Sequence, residues 1–210
     1  MTDLNSVFNE LVKTILWPSF KTLGYKKSGN NFRYYSAEGW GKIVQFQKSL
    51  YNSASELLFT VNAGFYLPEV EYYLCSRESG SKFQEPACVV RKRIGPLSGN
   101  QSDSWFKLTP ESDTDLLFSQ VSILFTKYVN PYLAEINSKD DIYMLLAKGH
   151  QSHYPLAQIN AMFRAGYEIE ALKLFESELT RSKHNHAYRA NLKALANELA
   201  LPAELLAGIK

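Results

Sequence analysis

An α+β fold follows from three features of the chain. Short stretches in the first third alternate apolar and polar residues, a helical stripe precedes them, and the period lengthens to 3.6 after Pro110. Together they predict an antiparallel sheet of about four or five strands with helices packed on one face, plus a C-terminal helical appendage. The organisation expected is an α+β body over residues 1–148 and a helical subdomain over 149–210.

The opening helix is carried by Leu4, Phe8, Leu11, Val12, Ile15 and Leu16, with Thr2 or Asp3 as its cap. Pro18 should kink it or start a second short helix, because proline lacks a donor and crowds the preceding turn. Gly24 supplies the stop. Residues 26–31 read as a turn or ragged edge. Strands then follow at 31–35, 43–48 and 57–63. In them Phe32, Tyr34, Val44, Phe46, Phe59 and Val61 form the apolar face. The Glu38–Gly41 loop, with two glycines, suits a hairpin.

Residues 70–76 are ambiguous between a short irregular helix and an edge strand, and 78–85 read as a polar loop. A fourth strand is expected at 88–94, with Cys88, Val90 and Ile94 on one side and Val89, Arg91 and Arg93 on the other. A fifth is possible at 104–108, after a loop at 98–103. Ser112 or Asp113 should cap a long helix interrupted at Asn130–Pro131. Ser138 and Asp141 match a capping box. Helices follow at 154–165, 168–181 and 186–199, with a last turn at 203–209. The core should form where the apolar sheet face, including Val90 and Ile94, meets Phe8, Leu11, Leu117, Val121 and Phe125.

The bulk numbers exclude more than they select. The chain has 210 residues, 45% of them hydrophobic and 21% charged, which fits a globular protein. A net charge of +2 gives no global field for nucleic acid or an anionic membrane. No apolar run approaches the roughly 20 residues that span a bilayer. Residues 1–8 lack the pattern of a signal peptide, so a cytoplasmic location is the expectation. Cys75 and Cys88 make no disulfide framework and have no metal-type spacing.

The stretch Trp17–Lys27, followed by Asn31–Phe32–Arg33–Tyr34, resembles the opening of bacterial DUF4304 proteins. Ile43–Ser49 and Phe59–Gly64 are similar to that family's central strands, and Cys88–Gly95 to its arginine-bearing strand. Tyr25 stands where the family usually has phenylalanine. The likeness covers about residues 1–140. Because the family is a domain of unknown function, the resemblance implies no catalytic residues. Similar small families occur among immunity proteins of toxin systems, which implies one functional direction.

The strand alternation places Arg33, Tyr35, Gln45, Gln47, Thr60, Asn62, Arg91 and Arg93 on the polar sheet face as the candidate binding site. Arginine forks suit carboxylate or phosphate, and amides both donate and accept. Tyr35, Tyr51 and Trp105 offer flat contact area. The function this points to is a non-enzymatic protein- or ligand-binding module of immunity or regulatory type. Its partner would be an acidic protein or an anionic small ligand. The same residues also suit the solvated face of any antiparallel sheet.

The alternatives are a nucleic-acid-associated module, built on Lys26–Lys27 and Arg91–Lys92–Arg93, and an enzyme without a recognisable motif. His150, His153, His184 and His186 lack companion ligands, so no metal site is expected. No cofactor fingerprint or catalytic constellation is present in the sequence.

Overall fold

The computed structural model describes residues 3–100, 102, 104–150, 152–202 and 204–205. Thr2, parts of the 98–103 loop (Gln101, Asp103), Gln151 and most of the expected 203–209 turn lie outside the described residues.

Asp3 caps the first helix: its carboxylate accepts from the Asn5 amide and the Ser6 hydroxyl. Helix α1 (Leu4–Glu10) runs through a π-helical stretch (Leu11–Leu16) into α2 (Trp17–Thr22). Proline at position 18 has no N–H, and its ring presses on the carbonyl four residues back. The widened turn ahead of it relieves both problems without ending the helix. Pro131 is treated in the same way. Helix α5 (Thr114–Leu124), capped by Asp113, passes through a π stretch (Phe125–Val129) into α6 (Asn130–Ala134). At the end of α2, Gly24 takes φ +81°, and the Gly24 and Tyr25 amides bond back to the Lys21 and Phe20 carbonyls.

The sheet is antiparallel throughout, in the order β1 (Lys26–Ser28), β2 (Asn31–Tyr35), β3 (Gly41–Lys48), β4 (Leu57–Tyr66), β5 (Val90–Arg93). A short β6 (Phe106–Leu108) pairs with the start of β4. The residues read as a ragged edge thus form β1, turned by Gly29 at φ +56°. The ambiguous segment is helix α3 (Pro68–Cys75). Strand β5 is shorter than expected, because Ile94 opens a helical turn, α4 (Ile94–Leu97). Cys88 lies ahead of the strand. It packs with Ile43, Tyr66 and Phe83 rather than with Val90, while Val89 joins the main core.

The main core forms as the two periodicities require. Phe32, Val44, Phe46, Phe59, Val61 and Val90 meet Phe8, Leu11, Phe20, Leu117, Val121 and Phe125. Phe46 stacks on Phe125 at 5.7 Å, and Phe8 meets Phe59 edge-on at 5.1 Å. Such pairs add about 0.5–1.5 kcal/mol beyond their buried area. Helix α7 (Lys139–Ala147) starts in a full capping box between Ser138 and Asp141. Helices α8 (Pro155–Arg164), α9 (Glu168–Arg181) and α10 (His186–Glu198) follow, α8 resting on α3. Among the described residues no helix is long and apolar enough to cross a membrane.

Candidate functional site

Register decides which side chains share a face, since a slip of one residue reverses every one of them. In β3 and β4, Gln45 pairs with Asn62 and Gln47 with Thr60. Asn62 and Gly64 then pair with Arg93 and Arg91, while Arg33 and Tyr35 sit opposite Ile43 and Gly41. Arg33, Tyr35, Gln45, Gln47, Thr60, Asn62, Arg91 and Arg93 therefore lie on one face, opposite the main core.

That face is divided. One half is closed by the segment 76–89, read from sequence as largely a polar loop. Phe83 is fully buried against Tyr66 at 4.3 Å, in a small second core with Ile43 and Cys88, flanked by Tyr35. Glycines make the room. A Cβ at Gly41 would lie 2.5 Å from the Phe83 ring, and one at Gly64 2.9 Å from Cys88 Cβ.

Polar groups pin the segment down. Arg33, itself buried, donates Nε to the Phe83 carbonyl and a terminal nitrogen to Gln84 Oε1. Burial pulls Arg33 below the ordinary arginine pKa. Arg91 grips both oxygens of Glu85 at 2.8 Å, and those hydrogen bonds hold its pKa above the usual value. Burial alone would raise the Glu71 pKa. Hydrogen bonds from the Ser79 hydroxyl, the Tyr66 hydroxyl and the Ser79 amide outweigh burial and keep it low. Burial also pushes the Cys88 thiol well up, away from nucleophilic use.

The other half is organised by Asn62, which is 3% exposed. Arg93 Nε donates to Asn62 Oδ1 at 3.1 Å. A guanidinium can only donate, so this contact fixes which end of the Asn62 amide is oxygen. The Asn62 Nδ2 group must then face the two glutamines. It donates to Gln45 Oε1 at 3.0 Å and to Gln47 Oε1 at 2.9 Å. Both glutamine oxygens are thereby turned inward, and both Nε2 donors face away from Asn62. Thr60 is buried, with its hydroxyl donated to the Ser104 carbonyl.

Beside the glutamines, Arg93 lies 5.7 Å from the half-open Trp105 ring. An open groove of 380 Å³ runs along β5, lined by Asn62, Glu85, Arg91, Lys92, Arg93, Pro96 and His153. Among the described residues its only carboxylate is Glu85, already held by Arg91.

The set that can meet a partner is thus narrower than the sequence suggested. Arg33, Thr60 and Asn62 are buried, Arg91 is committed to Glu85, and Tyr35 flanks the second core. Tyr51 stands apart, 90% exposed in the β3–β4 loop. Gln45, Gln47 and Trp105 remain on the open half, with Arg93 held on Asn62 and against the Trp105 ring. Sequence reasoning missed His153 as a groove residue and Glu85 as the buried counter-ion, and the register turns Lys92 of the basic run to the other face, 5.5 Å from the Tyr132 ring. Among the described residues no three metal-ligating side chains converge.

A family model described as a domain of unknown function, DUF4304, matches residues 16–135. The chain belongs to this family. The DUF4304 match takes in every strand and the whole polar face, and stops before α7. No curated protein and no solved structure matches the chain.

Proposed function

We propose that this DUF4304 chain is a non-enzymatic binding module, of immunity or regulatory type, that holds an acidic segment of a partner protein on the open half of its polar face. The observation that carries the reading is the Asn62 relay. One donor-only group, Arg93, orients an interior amide so that two surface amides present N–H groups together. Two outward amide donors beside an indole suit a carboxylate with adjoining apolar surface. His153 extends the groove along β5.

The test is fluorescence anisotropy with a labelled peptide rich in glutamate, titrated with the whole chain and with Gln45→Glu and Gln47→Glu. Each added carboxylate should weaken binding by about tenfold, or 1.4 kcal/mol. Equal binding by both variants would remove the site. Tighter binding of a single-stranded oligonucleotide, falling steeply with salt, would replace the acidic partner with nucleic acid.

A further inference from the structure

The closed half of the polar face shows how this sheet holds a chain segment. There the segment 83–85 crosses the strands in extended form, with Phe83 at φ −51°, ψ 151° and Gln84 at φ −104°, ψ 157°. Arg33 of β2 holds its backbone at the Phe83 carbonyl. The Phe83 ring lies on Gly41 of β3 and Tyr66 of β4, and the Glu85 carboxylate reaches Arg91 of β5. One short stretch thus delivers an aromatic ring and an acid to the face together.

The open half offers places for the same two groups. Strands β3 and β6 flank β4. Gln47 pairs with Thr60 on one side, and the β4–β6 register, carried one residue past Phe106, sets Trp105 beside Thr60 on the other. The Thr60 hydroxyl, donated to the Ser104 carbonyl, holds that arrangement. Phe106 stacks on Phe59 at the main core, so Trp105, next along, turns to the polar face. Its ring lies against Arg93 and still remains 38% exposed. Thr60 between them is buried, so a segment meets the glutamine donors and the indole. Neighbouring strands stand about 4.8 Å apart, which puts the Gln47 and Trp105 backbones about 10 Å from each other.

We infer that the acidic partner segment crosses β3, β4 and β6 as an extended chain and carries an aromatic residue three positions from its acidic one. A polyproline-II chain returns to the same side every three residues, about 9 Å on, which matches the span. The acid meets Gln45 and Gln47, and the aromatic ring meets Trp105. This rests on the acidic-partner reading and adds the partner's second anchor.

The probes are short glycine–serine peptides: one with a single Glu, one with Phe three residues after the Glu, one with that order reversed, and one with Phe next to Glu. Each is added to the ¹⁵N-labelled whole chain and followed at the Gln45 and Gln47 side-chain amides and the Trp105 indole. Three-residue spacing, in one order or the other, should tighten binding by about three- to tenfold over the Glu-only peptide and move the Trp105 signal. Phe next to Glu points to a different side and should add nothing. Trp105→Ala should abolish the gain and leave affinity for the Glu-only peptide unchanged. If that variant fails to fold, the indole signal of the native chain decides. A still Trp105 signal, equal affinity for all four peptides, or a gain that survives in folded Trp105→Ala would overturn the second anchor while the glutamine shifts keep the acidic-partner reading. Silence at Gln45 and Gln47 with every peptide up to about 10 mM would remove both.

Discussion

Replacing Asn62 by aspartate tests the relay without substituting any surface residue. In the native protein the Asn62 side chain makes two donor bonds and one acceptor bond, all shorter than 3.2 Å. Truncation to alanine loses all of them and should cost about 3 kcal/mol, at about 1 kcal/mol each. Aspartate keeps the Arg93 bond and strengthens it by charge. It also sets a second acceptor against Gln45 Oε1 and Gln47 Oε1. Each glutamine relieves that clash by turning its terminal amide, so that Nε2 points inward and Oε1 outward.

Stability should then change by about 1 kcal/mol or less, because each bond is replaced by another. The surface changes sign all the same: two outward donors become two outward acceptors. Affinity for the glutamate-rich peptide should fall by about tenfold or more. Urea midpoints give the stability, anisotropy the affinity, and solvent exchange of the glutamine side-chain amides the flip. Those protons should be open to solvent in the native chain and protected in Asn62→Asp. Native affinity with unprotected amides in the variant would refute the relay. A loss as large as that of Asn62→Ala would show that the glutamines cannot turn.

Three other outcomes follow from the closed half and the helix caps. Glu85→Ala should cost about 3 kcal/mol by urea unfolding, because it strands the Arg91 guanidinium against a site only 4% exposed, while a Glu85→Leu/Arg91→Leu double variant should recover most of that. Gly41→Ala should cost about 1–3 kcal/mol by thermal melting, since its Cβ meets the Phe83 ring, and Phe83→Leu in the same chain should lessen the added loss. Glu71 and Asp141 are held below their ordinary values of 4.5 and 3.8, Asp141 chiefly by the Asn137 amide. The unfolded chain therefore binds more protons than the native one at and below those values. Their contribution to stability should be level above about pH 5 and lost as acid protonates both groups, and Glu71→Gln should flatten the slope of melting temperature against pH in that acid range.

The strands and the shared polar face were legible because a two-residue period survives any environment that is dry on one side. The division of that face was legible too, though only through residues that look like exceptions. Ile43 stands among glutamines, and Gly41, Gly64 and Tyr66 share its register. An apolar side chain beside two missing ones marks a slot for something from outside the sheet. Sequence alone did not say what fills it, because Phe83 is surrounded by polar neighbours whose partners are distant in the chain. The π-helical stretches left only their cause in the sequence, a proline one turn later. Strand β1 was hidden by Gly29 and the asparagines, which suit a turn as readily as the tight hairpin they make.

The division also explains why arginine count was a poor guide to the site. Arg33 and Arg91 look like recognition groups, but each is occupied by the segment it fastens, and freeing either would leave that segment unpinned. Removing them would lower affinity by disordering the neighbouring surface, whatever the ligand. The amides act differently. Their orientation follows from Arg93 through Asn62, so the sign of the hydrogen-bonding surface is set one layer below it. A change at Asn62 can reverse that sign while every surface residue stays the same, whereas a change at Arg91 alters stability first and recognition only through it.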